Sequence, residues 1–268
     1  MNANSVLNFD FLAFTKLQVL TDDIDPAYPY IKYYVRDKSK SDKIKFILDY
    51  MSSYSLGSAL YYYHTNKILM TENGNPLTGI ERRGLRSTNK MLNDLSQNEN
   101  RTYFVSEVID RVNKYSDSVF LLQKMENYGR WAAFKLTEIL DYVFELNWEC
   151  DNLFTERGSG HTTGLQQLAS VNPTEQNARA VFNSYKDLYE DYRYQNFETS
   201  LCDWHNLLDG KYYAGNDIDL LKEHLQKAGQ FDAEVHKKLY PNYPTDHKEN
   251  VKSLRKLYIS TGIIKWWK

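Results

Sequence analysis

Cysteine is scarce in this chain, and its scarcity excludes several architectures. Cys150 and Cys202 are the only two in 268 residues. They lie far apart and form no CxxC pair or zinc-finger spacing, so neither a disulfide framework nor a zinc knuckle is expected. They read as thiols of a reducing compartment. The six histidines (His64, His161, His205, His224, His236 and His247) include no HExxH and no HxE paired with CxxC, so the motifs of zinc hydrolases and zinc deaminases are missing. Long apolar runs are missing too. No stretch of about eighteen uncharged apolar residues exists, and the opening MNANSVLNFDFLAF has no basic region of a signal peptide. The expectation is a cytoplasmic protein without a membrane segment. Charge bias is small, at a formal net of −2, so any grip on nucleic acid must come from a local basic face rather than the net field. Alternating strand patterns, internal repeats and low-complexity tracts are likewise lacking.

What remains is an aromatic, helix-forming sequence. Hydrophobic residues make up 42% and aromatic residues 15%, including 22 tyrosines, enough for a real core and for a surface rich in rings with hydroxyl tips. The pattern predicts an all-α fold in a single helical domain spanning 1–268, with 1–24 as an N-terminal extension and 226–268 as a C-terminal helical extension. Asp25-Pro26 starts a short helix or turn to Tyr34. Ile44 to Tyr63 is one helix, or two joined near Ser55 to Gly57. Thr71 to Leu77 is a loop around an Asn-Gly turn. Val105, Val108, Ile109 and Val112 mark a helix over Phe104 to Lys114. Asn172-Pro173-Thr174-Glu175 reads as a capping box with Asn172 as cap, opening a long helix to about Tyr194. Another helix runs from Phe197 to Leu208 and stops at Gly210, and Asn216 or Asp217 caps the next, carrying Ile218, Leu221 and Leu225. The last, His247 to Tyr258, sets Val251, Leu254 and Leu257 on one side.

Glu126 to Cys150 is the most informative stretch. Its apolar positions (Phe134, Ile139, Val143 and Phe144) trace a core-facing stripe, which leaves Arg130, Lys135, Glu138 and Asp141 on an expected exposed side beside Trp131. Four other segments could carry chemistry. Arg157 to Gly164, RGSGHTTG, is small-residue-rich and could offer amides to an anion, but it lacks a Walker lysine and reads first as an ordinary loop. Glu81 to Arg86 gathers Arg82, Arg83 and Arg86 into a basic turn that could grip phosphates or simply be solvated. Glu198 to Asp219 holds Cys202 and His205 at i, i+3, a spacing compatible with a nucleophilic pair or with plain structure. Gly57 to His64 lines up rings for packing or for base stacking.

Taken in order, DPAYPYIKYY, YMSSYSLGSALYYY, GIERRGLR, YGRWAAFKLTEILDYVF and LCDWHNLLDGKYYAGNDID resemble the phage amino acid:DNA transferases, also called alpha-glutamyl/putrescinyl thymine pyrophosphorylases. The resemblance covers most of residues 25 to 225. Its most specific parts are GRWAAFK and the pattern Cys202, Trp204, Gly210, Tyr212, Gly215 and Asp217. The chain departs from the family at Leu136-Thr137-Glu138, where the family helix carries an Ala-Asp-Met run.

The resemblance implies a helical, DNA-glycosylase-like fold. It also implies a transferase that replaces the pyrophosphate of 5-pyrophosphoryloxymethyluracil in DNA with an amine from an amino acid, glycine being the best guess. Its partners would be DNA containing modified thymine, the amine donor and other DNA-modification enzymes. On this expectation Lys135, Glu138 and Asp217 are catalytic. Arg82, Arg83, Arg86 and Arg130 bind DNA or pyrophosphate, and Trp131, Cys202, Trp204, Tyr212 and Tyr213 position substrate. No cofactor is evident. A divalent metal would suit a pyrophosphate leaving group, but no ligand motif names one. The alternative is a non-catalytic helical DNA-binding or accessory protein of a DNA-modification pathway.

Overall fold

The computed structural model describes residues 3–79, 85–155, 160–186 and 192–243, with side chains from residue 11. Among these residues thirteen helices form and no strand; Met70 and Pro76 make one isolated bridge across the Asn-Gly turn. The all-α expectation holds. No helix among the described residues is long and apolar enough to cross a membrane. The predicted helix His247 to Tyr258 and the basic pair Arg82 and Arg83 lie outside the described residues.

The chain groups into two compact units. Unit 1 takes Met1–Asp25, Cys150–Asp217 and Tyr240–Lys268; unit 2 takes Pro26–Glu149 and Ile218–Leu239.

Unit 2 is built around α3 (Lys40–Ser53), α6 (Asn98–Arg111) and α8 (Arg130–Phe144), with α2 (Ala27–Val35), α4 (Leu56–Thr65), α5 (Thr88–Ser96) and α7 (Tyr115–Leu122) around them. Ile44, Ile47, Leu48 and Met51 of α3 are fully buried, as are Val105 and Val108 of α6 and Phe134 and Ile139 of α8. Each such side chain contributes about 1.5–3 kcal/mol by leaving water. The open choice over 44–63 resolves as two helices. Tyr54 takes the left-handed conformation (φ 50°) that closes α3, and the Ser55 hydroxyl accepts from Ser58 N to cap α4.

A buried polar chain also runs through unit 2. Lys45 pairs with Asp49, Asn98 donates to Asp49 and Ser52, and Arg101 pairs with Asp94 at 2.9 Å while donating to Asn98 Oδ1 and the Glu126 carbonyl. Burial raises the Asp49 carboxyl above its usual range, against the opposing pull of Asn98 and Lys45.

The second half of α12 (Asn216–Lys227) packs on α4 in the same unit: a Cβ at Gly57 would fall 2.0 Å from the His224 carbonyl oxygen. His224 Nδ1 lies 2.9 Å from Ser55 Oγ. Burial, helped by Lys227 and opposed by Glu223, depresses its imidazole below the usual 6.5. A base held neutral in the folded state costs stability once the unfolded chain takes up the proton. The His224 contribution is therefore complete above the unfolded value and is lost as pH falls from about 6.5 through the lower folded value. Comparing urea midpoints of the wild type and His224→Gln should show a wild-type advantage that shrinks from neutral to acidic pH. A gap independent of pH would contradict this reading of His224.

Unit 1 is organised by α9 (Gly160–Ala169) and α11 (Tyr194–Leu208), with α1 (Ala3–Leu20) against both and α10 (Glu175–Asn183) beside α11. The approach of α9 to α11 is close because glycine permits it. A Cβ at Gly164 would sit 2.0 Å from the Leu201 carbonyl oxygen, and one at Gly160 would sit 3.0 Å from Cys202 Sγ. Thus the expected small-residue loop is helical from Gly160 onward, and its glycines serve helix packing.

Two other expectations change in unit 1. Thr174, not Asn172, caps α10 by accepting from Asn177 N. Glu175 instead turns inward to accept from Leu153 N and the Tyr194 hydroxyl, so its carboxylate serves tertiary structure rather than a capping box. The predicted long helix to Tyr194 stops at Asn183, where Ser184 donates back to the Val181 carbonyl and ends the ladder.

Candidate functional site

In unit 2 the candidate residues lie along α8. Gly129 precedes the helix with an extended backbone, and no side chain caps the first turn. Arg130 is the first helical residue and is half-buried; its Nη1 is buried with no hydrogen-bond partner among the described residues. A cation at a helix N-terminus faces the positive end of the macrodipole, an arrangement that an anion relieves. Trp131, next to it, is half-buried with its ring edge-on to Tyr54, centroids 4.9 Å apart.

Deeper along α8, Lys135 Nζ and Glu138 Oε2 form an ion pair at 2.9 Å, and the Tyr28 hydroxyl donates to the same Oε2 at 3.1 Å. Both charged side chains are about 95% buried. This corrects the exposed polar side expected from sequence. Helix α8 is flanked by α2, α3 and α7, so every residue from Ala132 to Asp141 is covered. Asp141 is buried as well and accepts from Trp148 N at 2.8 Å. Arg86 is exposed, one residue ahead of the Ser87 cap of α5.

In unit 1 the remaining candidates divide between core and half-exposed positions. Trp204 is fully buried, with Phe11 and Phe14 both 5.6 Å away centroid to centroid, so it packs the aromatic core. Tyr212 is also buried. Its hydroxyl donates to Asp23 and accepts from Gln18 Nε2, which also donates to Asp203 at 2.8 Å. Burial first, then Asp203 and Asp23, push that hydroxyl well above the usual tyrosine range, so it stays a donor. Tyr212 therefore fastens the segment after α11 to α1, with Gly215 N donating to the same Asp23 carboxylate. Tyr213 and Asp217 are half-buried, Asp217 in the first turn of α12 where Asn216 Nδ2 donates to it.

His205 turns its Nδ1 to Gln167, 3.3 Å away, and the Cys202 thiol turns to Glu198. Cys202 lies on the face of α11 that meets α9. His161 Nδ1 is 2.9 Å from Glu198 Oε1, the Cys202 thiol donates to the same oxygen at 3.8 Å, and one potential ligand atom from each residue lies within 4.8 Å of the others. His161 and Glu198 are each about 1% exposed. Sequence reasoning missed this cluster because His161 and Glu198 come from different helices. The usable signal was the Gly160-to-Gly164 spacing, which marks close helix approach.

No curated protein matches the chain. Residues 87–213 match the family model described as "Amino acid:DNA transferase", a stretch that includes α8, α9 and α11. Residues 87–213, just under half of the chain, are thus similar to the amino acid:DNA transferases, the family that its ordered segments resemble.

Proposed function

We propose that the protein replaces the pyrophosphate of 5-pyrophosphoryloxymethyluracil in DNA with an amino acid, glycine first among the candidates. The family match over 87–213 carries this reading. In the reaction a neutral amine attacks the exocyclic carbon, the carbon–oxygen bond breaks, and pyrophosphate departs with the electron pair. The attacking nitrogen then gives up a proton.

Cations must meet the charge gathering on the leaving group. Arg130 suits that task, since its guanidinium and the uncapped amides of α8 both favour an anion. Arg82, Arg83 and Arg86 would hold the phosphates of DNA. Trp131 would supply a ring for the base. Glu138 or Asp217 would take the amine's proton, with Lys135 setting the charge around Glu138. Tyr213 and Cys202 would help to place the substrate. The setting would be the cytoplasm of an infected cell, where other enzymes supply the pyrophosphorylated base.

The test is mass spectrometry of nucleosides from DNA bearing that base, after incubation with the protein and a pool of amino acids and polyamines. An amine-bearing thymidine together with free pyrophosphate is expected, and its mass names the donor. Unchanged DNA, even with salt-sensitive binding, would reject the transferase reading in favour of a binding module. Arg130→Ala should lower turnover about 100-fold with little change in melting temperature, and Arg130→Lys should recover only part because it cannot bind an anion bidentately. Full turnover by Arg130→Ala would remove Arg130 from the site.

A further inference from the structure

We propose that His161, Glu198 and Cys202 form a binding site for a thiophilic divalent cation, zinc by its donor set. The proposal stands on the geometry of unit 1 and does not depend on the transferase reading. Two helices supply the ligands. Glu198 and Cys202 are one turn apart on α11, so their side chains share a face, and α9 brings His161 to that face.

The approach is fixed by backbone. Gly164 lets α9 reach the Leu201 carbonyl, and Gly160 leaves room for the Cys202 sulfur. One nitrogen, one oxygen and one sulfur then sit within 4.8 Å of one another, a span that zinc closes with bonds of about 2.0–2.3 Å after small side-chain shifts.

Burial makes the arrangement informative. His161 turns Nδ1 to Glu198, and its buried Nε2 has no hydrogen-bond partner among the described residues, although a histidine placed only for packing would be expected to satisfy both ring nitrogens. A carboxylate one turn from a thiol on the same helix opposes thiolate formation. A dication reverses that opposition, since a carboxylate and a thiolate together neutralise its charge. As the zinc–sulfur bond forms, the thiol proton leaves to solvent and no redox partner is needed. Three protein ligands leave room for a further ligand on the metal, the pattern of zinc sites that meet small molecules rather than of closed structural ones.

Cobalt(II) is the spectroscopic probe and zinc the competitor. The chelator-treated full chain should bind one cobalt per molecule and show a thiolate-to-cobalt absorption band, and zinc should abolish that band stoichiometrically. Cys202→Ser should lose the band, and His161→Ala should weaken zinc binding at least tenfold, both with far-ultraviolet circular dichroism like the wild type. His205→Ala, which alters the other histidine near Cys202 in sequence, should bind as the wild type does. Absence of the cobalt–thiolate band in the wild-type chain would overturn the proposal even if a variant failed to fold. So would unchanged zinc affinity in a folded His161→Ala, or loss of binding in His205→Ala.

Discussion

Gly164→Ala is expected to destabilise unit 1 strongly. The added methyl carbon would lie 2.0 Å from the Leu201 carbonyl oxygen, and the obstacle is backbone, which cannot swing aside as a long side chain can. Relief requires α9 to retreat from α11, opening the closest helix contact in the unit and separating His161 from Glu198. Overpacking of this kind costs about 3 kcal/mol or more, a large share of the roughly 5–15 kcal/mol that holds a domain together. Gln166→Ala, on the exposed side of the same helix, should stay within about 0.5 kcal/mol of the wild type. Urea titration and amide exchange over α9 and α11 would measure both. A Gly164→Ala protein as stable as Gln166→Ala would mean that the two helices do not approach as described.

Breaking the Lys135–Glu138 pair should have the second-largest effect. Removing either partner leaves a buried charge without its counter-ion and costs about 3–5 kcal/mol. Lys135→Met or Glu138→Leu alone should therefore lower the denaturation midpoint sharply. The double variant should recover most of the loss, because apolar side chains of similar size fill the same space without a desolvation penalty. Tyr28→Phe removes only one donor to Glu138 and should cost about 1 kcal/mol. Burial changes what a single substitution can reveal. Lys135→Ala confounds folding with turnover, whereas a stable double variant tests catalysis alone. Recovered stability with no recovered activity would place the pair in the chemistry. Recovered activity would make it structural only.

The legible parts of the fold were those set by local chemistry. The break between α3 and α4 falls at Tyr54-Ser55 because serine caps, and α11 ends beside Gly210 because glycine accepts φ +70°. The short helix after Asp25-Pro26 forms where proline permits a first turn. What the sequence could not display was how many sides of a helix are covered. Amphipathic reading assumes one wet face, and α8 has none from Ala132 to Asp141. For that reason Lys135, Glu138 and Asp141 looked like surface residues although all three are interior. The candidate site divides in the same way. Arg130 and Trp131 open α8, which is shorter than the expected helix over Glu126 to Cys150, Trp204 and Tyr212 belong to the interior of unit 1, and the His161, Glu198 and Cys202 cluster depends on two helices whose spacing along the chain carries no metal signature.

The buried bonds from Gln18 to Asp203 and Tyr212, and the rings of Phe11 and Phe14 against Trp204, join α1 to residues synthesised much later, Gln18 and Asp203 being 185 positions apart. On a ribosome α1 emerges well before α11 and waits, the Phe11 and Phe14 rings uncovered, until α11 and the segment through Gly215 have followed. Such long-range closure is slow and leaves an apolar segment open to wrong partners meanwhile. Yield in a heterologous host should therefore depend on translation speed and chaperone supply, and removing the first two dozen residues would take away Gln18 and Asp23, both hydrogen-bond partners of the buried Tyr212 hydroxyl.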